Sequence, residues 1–437
     1  MIKAVEVILW GRRIGYLYQG EGDSVPAFEY DKEFKQSGIE ISPIMMPLSD
    51  RVYRFPELRE ISAFRGLPGL VADSLPDRFG NTLINRWLSE QGRSPESFTA
   101  MEQLCYIGKR GMGALEYIPA VDFNNTTNTD IDITEMTRLA SEVLSGREDK
   151  VLQGDNMGKM QLLEIGSSAG GAGAKAIIAW NEQTKEVRSG QINAGDGFDY
   201  WIIKFGGVNG NGDHDVEDKK QYTNIEYAYY LMAKDAGINM NECRLFSRDG
   251  YCHFMTKRFD RLNGKKIHMQ TLAALLHLDY NIPNQIGYEQ YAEQARKLGI
   301  GKSGIEQVYR QMVFNVVAMN NDDHVKNFSF LMDRKGKWQL APAYDITYAY
   351  HPANRWISKH QMSVNGKVED ITGEDLIKSG NIMGLPRAFC RDVLEQVTDV
   401  VSNWFIYAEK SELSKERTEE IYGNLENSVR SVSEYGS

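Results

Sequence analysis

Apolar positions between 304 and 319 recur every three or four residues. Ile305, Val308, Tyr309, Met312, Val313, Val316 and Val317 have the spacing of one buried helix face. The pattern stops at Asn320-Asn321-Asp322-Asp323-His324-Val325-Lys326-Asn327. Phe328 to Met332 then reads as a strand, Asp333–Lys337 as a turn, and a second short strand ends before Pro342. Helical periodicity also covers 271–279, 287–298, 373–379, 386–408 and 411–433. Strand patterns lie earlier in the chain. Val5–Leu9 and Gly15–Tyr18 flank Gly11-Arg12-Arg13 as a hairpin, while Ala176–Trp180, Phe198–Phe205 and Tyr251–Asp260 read as further strands, the last ending in a charged loop. Ser74–Gly80 leads into an amphipathic helix carrying Leu83, Ile84 and Trp87. A helix beginning at Thr223 buries Ile225, Ala228, Tyr229 and Met232.

These patterns predict an α+β chain with a strand-rich lobe followed by a mostly helical one, as a cleft between two lobes requires. The polar run Asn124–Thr129 inside Phe123–Asp132 is the best linker. The expected domains are therefore an α+β module at 1–122, a strand-rich nucleotide lobe at 133–260 and a helical lobe at 261–437. The first of these shows no obvious chemistry and is expected to serve as a docking or scaffold module.

Composition narrows the function classes. The 437 residues are 42% hydrophobic and 25% charged, which suits a soluble protein of two or three domains. No apolar run approaches the ~18 residues of a membrane span, and Met1–Trp10 reads as a first strand rather than a leader. Fifty basic against sixty acidic residues give a net charge of −10, unfavourable for binding nucleic acid without a partner. Cys105, Cys243, Cys252 and Cys390 show no C-x-x-C spacing. That fits a reducing cytoplasm and argues against a disulfide framework or structural zinc. The seven histidines form no ligand motif, so the expected metal is magnesium arriving with nucleotide.

The candidate chemistry lies in the loop after the 304–319 helix. Asp322, Asn327 five residues on, and Asp345 beyond the hairpin form a set that phosphoryl transfer uses. One carboxylate orients or deprotonates the attacking hydroxyl, while the amide and the second carboxylate hold magnesium on the nucleotide phosphates. Asp/Asn-rich loops also close Asx turns, so the set gains meaning from its context. Upstream, Gly166-Ser167-Ser168-Ala169-Gly170-Gly171-Ala172-Gly173-Ala174-Lys175 lets backbone N–H groups approach a polyphosphate without Cβ interference. A strand follows it, so it is no Walker A loop. Lys204, at the end of an apolar strand, is placed to meet phosphates and a helix glutamate. Glu226 either completes a Thr-x-x-Glu capping box with Thr223 or pairs with Lys204. The strand Tyr251–Asp260 ends where the hinge of a two-lobed kinase would offer backbone groups to adenine.

On these residues the chain resembles the HipA family of serine/threonine kinase toxins from bacterial toxin–antitoxin systems. Trp10–Gly15, Met46-Pro47-Leu48 and Leu75-Pro76-Asp77-Arg78 resemble the family's N-terminal module, and Ser167–Lys175 its phosphate loop. The most specific part is Asn320–Phe328 together with Leu340–Ile346. The resemblance implies a protein-kinase-like fold, with Asp322 as catalytic base and Asn327 and Asp345 as magnesium ligands. It implies ATP contacts from Ser168, Ala169, Gly170, Gly171, Ala172, Lys175, Lys204, Lys257, Phe259 and Asp260. It also implies autophosphorylation at Ser168, with adjacent Ser167 as the alternative, and self-inactivation because a phosphoserine adds about −1.5 to −2 charges among the phosphates. Gly173-Ala174 replaces the Gln, Arg or Pro that family loops often carry. A helix-turn-helix, HipB-like antitoxin carrying most DNA contacts, and an aminoacyl-tRNA synthetase as protein substrate, are the implied partners.

Two other readings compete. One is a nucleotide-binding regulatory subunit that binds antitoxin and DNA with little catalysis. The other is a small-molecule phosphotransferase of aminoglycoside-kinase type, which leaves the N-terminal module unexplained.

Overall fold

A computed structural model describes residues 2–120, 130–145, 156–167, 173–191, 193–208 and 221–433. At the N-terminus, β1 (Ala4–Leu9), β2 (Arg12–Tyr18), β3 (Ala27–Tyr30) and β4 (Leu115–Ile118) form an antiparallel sheet in the order β3-β2-β1-β4. Val5, Val7 and Leu9 alternate into its core, as a period of two requires. The β1–β2 turn is Trp10-Gly11, both at positive φ (52° and 80°), the backbone of a two-residue hairpin turn that follows the strand twist. Arg12 and Arg13, expected in the turn, belong to β2.

The second sheet carries β5 (Lys175–Trp180), β6 (Val187–Ser189), β7 (Asp199–Lys204), β8 (Cys243–Arg248) and β9 (Tyr251–Lys257) in the order β6-β5-β7-β9-β8, antiparallel throughout. Every residue of β5 is buried. The helix Tyr222–Asp235 lies against β8 and β9, while its buried Ile225, Ala228, Tyr229 and Met232 join the apolar core of the helical lobe. A small hairpin, β10 (Arg261–Leu262) with β11 (Lys265–Lys266), precedes the helical lobe. There β12 (His268–Thr271), β13 (Ser329–Met332) and β14 (Trp338–Leu340) form a three-stranded sheet beside helices at Tyr288–Lys297, Lys302–Val317, Gly373–Ile382, Arg387–Ser402, Trp404–Lys410 and Lys415–Ser433. The architecture is two-lobed, a strand-rich part followed by a mostly helical one, with an added N-terminal α+β module.

That module is not an appendage. Its sheet shares a continuous apolar core with the helical lobe. Its helix Arg78–Glu90 buries Phe79, Leu83 and Ile84 in a second core with β5 and β7. Two glycines permit this closeness: a Cβ at Gly69 would lie 2.0 Å from the Ala274 carbonyl oxygen, and one at Gly80 2.5 Å from that of Ser167. No helix among the described residues is long and apolar enough to cross a membrane.

Candidate active site

The loop holding Asp322 is fixed by what flanks it. The helix Lys302–Val317 ends against the core. Met319 takes a left-handed φ of 54°, and the Asn320 backbone N–H and side-chain amide both donate to Asn315 (2.9 and 3.0 Å). Asn321 donates from its backbone to Ala349 O (3.0 Å) and from its amide to Ile357 O (3.2 Å). Asp323 is 1% exposed. Its carboxylate accepts from Tyr288 Oη (2.7 Å) and Gln361 N (2.7 Å), with His360 Nδ1 at 3.0 Å. A buried carboxylate held by three partners rigidifies the segment that carries it. Asp322 stands between these anchors and faces the cleft, its Oδ1 4.0 Å from His324 Nε2. The Asn327 amide N–H donates back to Asp322 O at 2.9 Å.

Asp345 arrives from beyond β14 with φ +56°, a left-handed conformation that aspartate adopts more readily than most side chains. Its carboxylate meets Lys204 Nζ, which also bonds Glu226 Oε1 at 2.7 Å. The capping-box alternative for Glu226 fails: Gln221 is the N-cap, it makes no side-chain capping bond, and Thr223 Oγ1 donates to Cys252 O. Burial alone would raise the Asp345 carboxyl, yet Lys204 and Lys175 hold it well below the usual carboxylate range. Burial disfavours the Lys204 ammonium, but Asp345 and Glu226 more than restore it. Burial pushes Glu226 up to about 7, opposed by Lys204 and aided by Asp345.

Asp322, Asn327, Asp345, Lys204 and Glu226 border one cavity of about 390 Å³ between the lobes, as do Lys175, Lys257, Phe259 and Asp260. Ser168 and the stretch Ala169–Ala172 fall outside the described residues. Ser167 is fully buried, with its hydroxyl 3.5 Å from Tyr106 Oη. The hinge departs from expectation in detail. The N–H groups of Lys257 and Arg258 are taken by Glu242 O and Tyr200 O, and Lys257 Nζ lies 2.6 Å from Asp199. Phe259 packs on Tyr344, centroids 5.5 Å apart. Asp260 was expected to touch nucleotide; instead its carboxylate, 0% exposed, is enclosed by Arg258, Arg261 and the Gly113 N–H. It braces the hinge to the N-terminal module, and the two guanidiniums and that N–H occupy the oxygens a ligand would need.

Among the described residues no three His, Cys, Asp or Glu side chains cluster as a metal site. Magnesium needs no such cage, since it keeps waters and takes one or two protein carboxylates plus substrate phosphates. The ionised Asp345 carboxylate and the Asn327 amide oxygen, whose NH2 is engaged with Asp322 O, fit that demand.

The sequence did not reveal the cleft's outer wall. Leu70, Asp73, Leu75, Asp77 and Arg78 of the N-terminal module border the cavity, facing Tyr280 and Trp356. Only the charged Asp77-Arg78 after a Leu-Pro turn hinted at it, and that reads locally as a helix start.

Residues 5–118 match the family model of the HipA N-terminal domain, and residues 167–404 that of the HipA-like C-terminal domain. Over 163 residues the chain is 26% identical to Y4dM of Sinorhizobium fredii, itself named only provisionally as a kinase. That match covers 33% of this chain and 36% of the relative, so the chain spans about a third of the length of the curated relative. Among solved structures it is similar to one from the Shewanella oneidensis MR-1 toxin–antitoxin system, a complex of HipA, HipB and its operator DNA. The TM-score is 0.63 at 17% identity, covering 97% of this chain and 95% of that one. The likeness is one of fold.

Proposed function

Since the chain belongs to the HipA family, we propose that it is an ATP- and magnesium-dependent serine/threonine protein kinase, the toxin of a toxin–antitoxin pair. The observation that carries this reading is convergence. Asp322, Asn327 and Asp345, spread over 24 positions, border one interlobe cavity with Lys204, itself 141 residues from Asp345. Asp322 is the base that orients the acceptor hydroxyl and takes its proton. The acceptor oxygen bonds to the γ-phosphorus as the bond from phosphorus to the β,γ-bridging oxygen breaks. Lys204, steadied by Glu226, holds the α- and β-phosphates. Asn327 and Asp345 hold magnesium, which when bound neutralises charge on the phosphate oxygens.

In this reading the substrate is a component of translation such as an aminoacyl-tRNA synthetase, whose phosphorylation arrests growth in the cytoplasm. A HipB-like helix-turn-helix antitoxin neutralises the kinase and carries the DNA contacts, in keeping with the chain's charge of −10. The kinase also silences itself at Ser168; the burial of Ser167 disfavours that neighbour as acceptor. Incubation with ATP and magnesium is expected to raise the intact mass by one phosphate. Ser168→Ala and Asp322→Ala should each remove the gain while Ser167→Ala keeps it. An unmodified wild-type mass would turn the choice toward a regulatory, nucleotide-binding subunit. Continued phosphate transfer by a folded Asp322→Ala would count against the assigned base.

A further inference from the structure

The N-terminal module places a carboxylate on the catalytic loop. Asp77 stands at the N-cap of the helix Arg78–Glu90 with extended backbone (φ −83°, ψ −171°), the position from which an aspartate ordinarily accepts its own helix's N–H groups. It makes no such capping bond. Its carboxylate instead reaches Lys326 Nζ, 249 residues away in sequence. Lys326 is the residue before Asn327 and the fourth after Asp322. Its ammonium also lies 4.7 Å from the centroid of the Tyr280 ring, a cation–π distance. Burial works against the charged lysine, but Asp77, Tyr280 and Asp73 outweigh it and keep the side chain a cation.

Asp77, Lys326 and Tyr280 border the same cavity as Asp322, Asn327 and Asp345. Lys204 and Lys326 are thus both presented to the cleft by carboxylates, from different elements. Lys204, at the end of β7, is matched by Glu226 and by Asp345 from beyond β14. Lys326, four residues along the loop from Asp322, is matched by Asp77. A polyphosphate with its reacting end at Asp322 brings that end next to Lys326. Lysine is a compact point charge on a flexible stem, so an unheld Lys326 would sample many positions, including a direct pairing with Asp322.

We propose that Asp77 is a positioning residue for phosphoryl transfer. It holds Lys326 where the ammonium meets the oxygens of the transferring phosphoryl group and stays off Asp322, which makes the N-terminal module a working part of the active site. The proposal rests on the kinase reading. In the step itself Lys326 moves no proton. It offsets charge on the equatorial oxygens while the acceptor's proton goes to Asp322 and the leaving oxygen remains on the nucleoside diphosphate.

The test is a double-mutant cycle in the full-length chain, using Asp77→Asn, Lys326→Gln and the pair, with Asp77→Glu as the conservative variant. Initial rates of phosphate incorporation, ATP binding by calorimetry and thermal midpoints are measured on each. Asp77→Asn is expected to lower kcat about 10- to 100-fold with ATP affinity within about threefold of wild type, which is the signature of an interaction felt in the transition state. Asp77→Glu should recover part of the loss. The double variant should be no slower than Lys326→Gln alone, because residues acting through one another are not additive. A wild-type rate in Asp77→Asn, multiplied effects in the pair, or a loss that only tracks a lowered melting point would each overturn the role of Asp77 and leave the kinase reading standing. ATP binding without any phosphate transfer by wild type would sink the kinase reading and this proposal together.

Discussion

At the scale of single residues, the cleft is governed by how few charges are left unmatched. Lys204 is shared between Glu226 and Asp345, one carboxylate on the helix above the sheet and one on the chain past β14. The two differ in acidity. Asp345 stays ionised far below neutrality, while Glu226 is pushed up to about 7, first by burial and then by Asp345, against the pull of Lys204. This separation gives them different tasks: Asp345 remains available to a cation throughout the neutral range, and Glu226 gains a proton as pH falls below about 7. A protonated Glu226 holds Lys204 less firmly. The rate of phosphate transfer is therefore expected to drop on the acid side with an apparent pKa near 7, and Glu226→Gln should flatten that limb while lowering the plateau about 10-fold, within the range of a charge-assisted contact. Rates from pH 5.5 to 8.5 in both proteins decide this. An unchanged acid limb in Glu226→Gln would assign the titration elsewhere.

At the scale of elements, the periodicity of 304–319 located the helix within about two residues, since a single buried face leaves a strong repeating signal. The hairpin of β13 and β14 was legible for the same reason, with Asp333–Lys337 supplying turn chemistry between two apolar runs. Trp404–Lys410 was harder. It continues the apolar pattern of Arg387–Ser402, yet the chain breaks at Asn403 and starts a separate helix, which periodicity alone does not mark. The pinning of the loop that holds Asp322 was invisible, because Asp323, Tyr288, Asn315 and His360 meet only in three dimensions. Their network has a measurable consequence. Tyr288 donates to Asp323 and accepts from Asn315 Nδ2 at 2.8 Å, so Tyr288→Phe strips one donor from a buried carboxylate and one acceptor from a buried amide. The expected loss is about 1–3 kcal/mol in urea unfolding, with kcat falling more than ATP affinity as Asp322 loosens. A variant as stable and as active as wild type would show that the loop holds its shape without this network.

At the scale of the whole molecule, the seam between the N-terminal module and the lobes decides what the chain tolerates. Nothing in a one-dimensional pattern could place Asp77 beside Lys326, or Phe55 against His277. Such contacts are separated by hundreds of residues and each partner looks ordinary in its own neighbourhood. The seam is built from aromatic rings and histidines. Trp10 donates to Lys266 O (2.9 Å) and Trp338 to Glu40 O (3.1 Å). His277 Nε2 accepts the Gly69 N–H (3.0 Å) and packs edge-on against Phe55 at 4.4 Å. His268, fully buried, stands edge-on to Trp338 at 5.6 Å. Burial pushes both rings down to about 4 from their ordinary 6.5, so the folded chain prefers them neutral. A base depressed in this way adds stability that is complete above the unfolded value near 6.5. It is lost as pH falls toward 4, on the order of 3 kcal/mol for a fully buried ring such as His268. Acidification from pH 7 to 4.5 is thus expected to lower the urea midpoint steeply and to expose the seam. Amide exchange around Gly69 and β12 should rise before that of β5. His268→Phe keeps a ring against Trp338 and removes one titration, so its stability should depend on pH by about one proton less. If His268→Phe follows the wild-type pH curve, or if β5 exchanges first, the acid response belongs to the lobes and the seam is the firmer part of the molecule.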